Sequence, residues 1–312
     1  MKHTKADDVN GWLIIDKPQG MTSTQVVGKT RYLMHANKNG HTGTLDPFAT
    51  GVLPIAFGEA TKLVPYVTDG KKEYEFVVKW GEQTSTDDIE GEIVATSDKI
   101  PNHAEIVAAL PHFIGKIKQI PPIYSAIKIN GQQAYKLARK GQSVDMPERE
   151  IEIFALELLE EYADSAKFKV ECSKGTYVRT LGHDLALFLG TVGYLTELRR
   201  TKCGNFTLKD KILLDSLEKM EYVEKRRKSL LPMEKSLRDI AVIAVSAEDA
   251  IKLSYGQGLS PKNYADFPQG STLKAMFDDC LIALVRIDEH KISPIRVFQN
   301  NIKKEIKDVD KQ

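Results

Sequence analysis

The chain has 312 residues, 42% of them hydrophobic and 28% charged, and a formal net charge of +1. That composition excludes a disordered chain, the length exceeds the roughly 100–200 residues of one domain, and the near-neutral balance excludes a uniformly basic nucleic-acid-binding surface, so any basic patch must be local. No run of 18 apolar residues and no secretory leader occurs, which reads as cytoplasmic, and three widely spaced cysteines (Cys172, Cys203, Cys280) form neither a disulfide framework nor a metal cluster.

In chain order, the first signal is "IIDKPQGMTS", residues 14–23, an apolar strand that ends with Lys17 and Pro18 in a glycine-containing turn. It lacks the spacing of a phosphate loop, so no nucleotide cofactor is expected. Next comes "GHTGTLDPFATGVLP", residues 40–54, with glycines at 40, 43 and 51 that permit positive φ, and with Pro47 restricting Asp46. This is either turn material or a frame that presents a carboxylate; His41, five residues before Asp46, lacks the further ligands of a metal site. The alternation of "EYEFVVKW" places Tyr74, Phe76, Val78 and Trp80 on one face of a half-buried strand, where Tyr74 is a core residue or a platform for a base.

Helical patterns follow in "NHAEIVAALPHFIG", in "GQQAYKLARKG" with Gly141 as its stop, and in "RTLGHDLALFLG" with Gly190 as its stop. Between the last two, "AKFKVEC" alternates Phe168, Val170 and Cys172 with Lys167, Lys169 and Glu171 as a second strand. In "CSKGTYVRTLGHDL" a strand ends, Gly175 turns the chain and Arg179 opens a helix, either as a solvated cation or as the partner that keeps a carboxylate ionised. Two local basic runs, Lys128, Lys136, Arg139 and Lys140 beside Tyr135, and Lys225 to Lys228 through Arg226 and Arg227, are solvated faces or phosphate tracks. Strands and helices interleave without a βαβ period, which gives an α+β fold, a mixed and mainly antiparallel sheet flanked by helices. A charged stretch around 221–238 marks a boundary, with a catalytic unit over 1–238 and a small C-terminal β-barrel over 239–312.

Taken together, "LIIDKPQGMTS", "GHTGTLDPFATGVLP", "KKEYEF", "IPPIYSAIKINGQQAYKLAR", "CSKGTYVRTL" and "LRRTKCGNF" stand in the order and spacing of the TruB family, the bacterial pseudouridine synthases that act on uridine 55 of the tRNA TΨC loop. The resemblance spans about residues 11–210; "VSAEDAIKLSYGQGLSP" resembles a PUA domain more loosely. The resemblance implies a pseudouridine synthase fold with a PUA-like C-terminal domain. It implies catalysis by Asp46 with Arg179 as its ion-pair partner and Tyr74 stacked on the target base. RNA contacts are implied for His41, Lys17, Tyr177 and Leu198, with Lys128, Lys136 and Arg139 added from the basic run. Phe48 stands where many members carry leucine, and Asn39 where a smaller residue is common.

The implied reaction breaks the N1–C1′ bond of uridine, turns the base and bonds C5 to C1′, with Asp46 as nucleophile at C1′ or as base at the 2′ proton. It implies a flipped-out uridine, no cofactor and no metal, the T-arm of tRNA as partner, and a monomer. A guide-RNA-dependent synthase of the dyskerin type and a noncatalytic protein that grips T-loops are the rival readings.

Overall fold

The computed structural model describes residues 6–125, 127–129, 131–134, 137, 145–260, 267–289 and 291–298. Its strands in chain order are β1 Gly11–Lys17, β2 Asn39–His41, β3 Thr50–Phe57, β4 Lys72–Trp80, β5 Glu82–Thr84, β6 Ile93–Thr96, β7 Gly115–Gln119, β8 Lys128–Ile129 and β9 Gln132–Gln133. They continue as β10 Arg149–Glu161, β11 Ser165–Cys172, β12 Gly193–Cys203, β13 Phe206–Thr207, β14 Ile212–Leu213, β15 Val242–Ala244, β16 Thr272–Phe277, β17 Cys280–Asp288 and β18 Lys291–Val297. One sheet runs β14-β1-β3-β12-β4-β11-β10-β7, with β2 added to β3 and β13 to β12. Only the β1/β14 and β3/β12 pairs in it are parallel, so the sheet is mixed and mainly antiparallel.

β1 is buried along its whole length because both of its faces are covered. Leu13 and Ile15 join the larger core, with Phe76, Val78, Phe168 and the helix residues Leu181 and Leu185; Trp12 and Ile14 join a second core on the other face. In the larger core the rings of Phe76 and Phe168, opposite each other on β4 and β11, stack at 5.5 Å, worth about 0.5–1.5 kcal/mol beyond the area they bury.

Both alternating segments form the expected strands, and the helix Val178–Phe188 stops where Gly190 takes φ +75°. The helix expected over 102–115 starts at an Asn102 capping box, runs His103–Ala109, then tightens into a 3-10 turn over Leu110–Phe113, where Pro111 offers no N–H to an α-helical ladder. The helix expected from residue 131 does not begin there. Gly131, at φ +83°, turns the chain into a short hairpin that pairs β8 with β9; Tyr135, Lys136, Arg139 and Lys140 lie outside the described residues.

After residue 238 a separate four-stranded sheet runs β15-β16-β17-β18, an open order among the described residues, with the helix Ala247–Ser254 against it. One side encloses its own core, while Leu281, Leu284 and Phe298 reach the second core, against Trp12, Val52 and Phe206.

Candidate active site

Asp46 stands on a loop pinned from two sides. Ser23 Oγ donates to the Leu45 carbonyl at 3.0 Å and accepts from the Leu45 N–H at 2.9 Å, while Lys17 Nζ donates to the carbonyls of Pro18, Met21 and Pro47 at 2.8, 2.6 and 3.0 Å. The Gly20 N–H adds a bond to Pro47 O at 2.8 Å. Lys17, expected to touch RNA, is fully buried with all three donors used inside the fold, so its side chain braces the loop and does not reach the surface. Burial pulls its pKa down to about 8, whereas the Asp46 carboxylate and the three carbonyls favour the charged form.

The glycines of the loop have unequal duties. Gly51 takes φ +101° where β3 runs beside β12, and a Cβ there would lie 2.2 Å from the Arg200 carbonyl oxygen. Gly43 also takes a positive φ. Gly40 does not: it sits within β2, in a conformation open to other residues.

Sequence separation of 133 positions closes in space: Arg179 Nε lies 2.9 Å from Asp46 Oδ2. The guanidinium is held on every side, by Asp88 Oδ2 at 3.2 Å, by the Thr86 carbonyl at 2.8 Å and by the Tyr124 carbonyl at 2.8 Å. Asp88, not singled out from the sequence, is itself oriented by Thr86 Oγ1 at 2.5 Å and the Glu90 N–H at 2.9 Å. The Arg179 side chain is 4% exposed and that of Asp46 33%, so the cation is enclosed and the carboxylate opens on the cleft. Burial lifts the Asp46 carboxyl above its ordinary pKa, the Arg179 guanidinium opposes that lift, and the nearby Asp88 carboxylate adds to it.

The cleft above Asp46 has a volume of about 260 Å³, and its lining includes Tyr74, Tyr177, Arg179, Leu198 and Arg200. Tyr74, partly buried, shares a hydrogen bond with Arg200, and burial pushes its phenol up to about 12. Arg200, missed from the sequence because an arginine in a charged run reads as solvated, is buried; its Nε donates to Val52 O at 2.7 Å and its Nη2 to Gly43 O at 3.2 Å. Lys72, likewise missed, is buried with its ammonium on the carbonyls of Thr68 and of Gly70. Both belong to runs of paired cations, "KK" and "RR", flanked by strand residues, which is the signal that could have found them.

His41 stands on β2 beside this loop, with its Nδ1 accepting from the Gly43 N–H at 3.2 Å; burial and Arg200 lower its pKa, so the ring is neutral with its proton on Nε2. Tyr177 precedes the helix that carries Arg179, and the Gln119 side chain clamps its backbone, accepting from its N–H at 2.8 Å and donating to its carbonyl at 3.0 Å. Asp46, Arg179, Tyr74, Tyr177 and Leu198 therefore meet in one cleft, with His41 beside it and Lys17 beneath it. Nothing is described of the side chain of Lys128, and Lys136 and Arg139 lie outside the described residues. Of the second basic run, Arg226 donates to the carbonyls of Leu33 and Leu217, and Arg227 to the carbonyl of Met34 and to the Asp7 carboxylate, so both guanidiniums already have partners within the fold.

This geometry can hold an ionised carboxylate against a bound nucleotide and offer it an aromatic face. Residues 31–178 match the family model described as "TruB family pseudouridylate synthase (N terminal domain)", and residues 179–238 the "tRNA pseudouridylate synthase B C-terminal domain". Among curated proteins the chain is 46% identical to the tRNA pseudouridine synthase B of Caulobacter vibrioides, covering 96% of this chain and 99% of that one, and 46% identical to that of Rhodospirillum rubrum, covering 95% and 98%. Among solved structures it resembles a chain in the crystal structure of a Cbf5-Nop10-Gar1 complex, with a TM-score of 0.70 and 26% identity over 92% of this chain and 84% of that one.

Proposed function

The chain belongs to the TruB family and is a tRNA pseudouridine synthase; we propose that its target is uridine 55 in the T-arm and that Asp46 performs the chemistry, assisted by Arg179 and Tyr74. The observation that carries the reading is the Arg179–Asp46 ion pair opening onto an aromatic-walled cleft. Burial raises the Asp46 pKa and so works against ionisation; the enclosed guanidinium favours the charged form that either attacks C1′ or removes a 2′ proton. C5 loses its proton and N1 gains one as the base turns, so the reaction is an isomerisation that needs no co-reactant.

Flipping the uridine out of the loop costs a few kcal/mol. Stacking on Tyr74 at ~1–3 kcal/mol offsets much of that, and His41 is assigned to fill the vacated space. Because the Tyr74 phenol titrates only near 12, its ring is the working part: Tyr74→Phe retains stacking and Tyr74→Ala loses it. Lys128, Lys136 and Arg139 are assigned to phosphates, which makes binding weaken with salt. Residues 239–312 are assigned as a PUA-like RNA-binding unit of a cytoplasmic, monomeric enzyme. The 46% identity to bacterial tRNA enzymes, against 26% to Cbf5, favours direct action on tRNA over guidance by a second RNA.

The test is release of tritium from C5 of uridine in a labelled tRNA transcript. Release by the wild type, its loss with Asp46→Asn, and no release at position 55 from a transcript carrying cytidine there support the reading. Wild-type protein that binds tRNA without releasing tritium sinks it in favour of a noncatalytic T-loop binder.

A further inference from the structure

Arg200 is an enclosed cation that the ion pair at Asp46 does not use. It is 1% exposed; its Nε donates to Val52 O on β3 at 2.7 Å, and its Nη2 donates to Gly43 O at 3.2 Å, on the loop that leads to Asp46. On β12 it stands directly opposite Tyr74 of β4, and the two side chains share a hydrogen bond. One guanidinium thus joins the strand that follows the loop, the loop itself and the hydroxyl of Tyr74. Packing alone does not call for an arginine here, because the next pair on the same face, Leu198 opposite Phe76, is apolar. A buried charge burdens the folded state and is repaid only when its partners stand in one geometry.

We propose that Arg200 is a positioning residue of the reaction: by tying the Tyr74 hydroxyl to the loop that carries Asp46, it fixes the ring at one tilt and one distance from the carboxylate. This rests on the proposed function, in which that ring carries the flipped-out uridine. The two buried arginines then divide the work. Arg179 sets the carboxylate, and Arg200 sets the aromatic face against which the base must turn until C5 meets C1′. A ring free to tilt would still stack on the base but would present it to C1′ in fewer productive orientations, so the effect falls on turnover and not on binding.

The experiment is a double-mutant cycle of Arg200→Lys and Tyr74→Phe, read in thermal midpoint and in kcat and KM for tritium release from tRNA. Lysine keeps the charge but cannot span Gly43, Val52 and the phenol together. Arg200→Lys is expected to lower kcat about tenfold, the effect of one hydrogen bond, with KM unchanged; in a Tyr74→Phe background the same substitution is expected to change kcat by less than about twofold. An equal loss in both backgrounds marks an arginine that supports only the fold and overturns the proposal, as does an unchanged kcat in Arg200→Lys. If Arg200→Lys does not fold, Tyr74→Phe alone decides: it keeps the stacking face and loses the anchor, so kcat should fall about tenfold at constant KM, and an unchanged kcat overturns the proposal. A readout independent of turnover is the Cζ resonance of Tyr74 in protein labelled with [ζ-¹³C]tyrosine, identified by its absence in Tyr74→Phe. It is expected to move in Arg200→Lys, and a resonance that stays in place overturns the anchor whatever the tritium assay shows. A wild type that releases no tritium while this resonance does move fails the functional reading and leaves the anchor standing.

Discussion

The floor of the cleft and the C-terminal sheet bury side chains of opposite kinds. The C-terminal core is almost wholly apolar, built of residues such as Leu253, Leu273, Val285 and Ile292. Around the cleft, Lys17, Lys72, Asp88, Arg179 and Arg200 are all buried charges, and four of the five spend donors on backbone carbonyls. Apolar burial contributes about 25 cal/mol per Å² without regard to direction, whereas a buried charge costs several kcal/mol and returns it only in one geometry. One region is therefore built for stability and the other for orientation, and substitutions should separate the two.

The sharpest separation is expected at Asp46. Asp46→Asn should lose turnover altogether in the tritium assay while tRNA affinity is kept. Its stability should not fall at neutral pH: a carboxyl whose folded pKa is raised loses stability to ionisation as pH rises from the unfolded value of 3.8 through the folded one, and asparagine is spared that loss. The midpoints of wild type and variant should converge below pH 3.8, and the acid limb of wild-type kcat/KM should lie above that pH. Leu284→Ala, in the contact between the C-terminal sheet and Trp12, should do the reverse. It should cost about 2–5 kcal/mol in urea unfolding with kcat unchanged in the folded fraction.

Gly51→Ala should break the comparison by damaging both properties. Overpacking against the Arg200 carbonyl costs about 1–3 kcal/mol, and moving β12 displaces Arg200 from Gly43, Val52 and Tyr74, so midpoint and kcat/KM should drop together. The smallest change is expected for Arg226→Ala, which frees the carbonyls of Leu33 and Leu217; about 1 kcal/mol of stability should be lost, with a salt dependence of tRNA binding equal to that of wild type.

The half-buried strands were legible because one face meets the core and the other meets water: in β11, Phe168 and Val170 alternate with Lys167 and Lys169. β12 was not read, because its pattern is broken by Arg200, whose burial depends on carbonyls from β3 and the 40–44 loop that no local window contains. Asp46 and Arg179 stood out through their turn and helix-start settings, but composition and spacing alone could not join them. Asp88 sits in "TDDIEG", where two adjacent aspartates read as a solvated turn; its burial arises only because β5 and β6 fold that turn against β12. The short hairpin of β8 and β9 was hidden by the helix-favouring residues that follow Gln133, although Asn130 and Gly131 before Gln132 are a turn pair in the sequence.

β1 also carries a consequence for how the chain comes to be folded. Its neighbours in the sheet are β3 and, 197 positions onward at Ile15↔Ile212, β14, while Trp12 exchanges backbone bonds of 2.8 and 2.7 Å with Leu231. A ribosome adding about 5–20 residues per second leaves this doubly apolar strand waiting for tens of seconds before its last partners are made. For that interval the nascent chain presents an unpaired hydrophobic edge, the kind of surface that chaperones hold and that aggregates extend. A chain cut short before Leu231 would keep every residue of the cleft and still lack the segment that closes over its first strand.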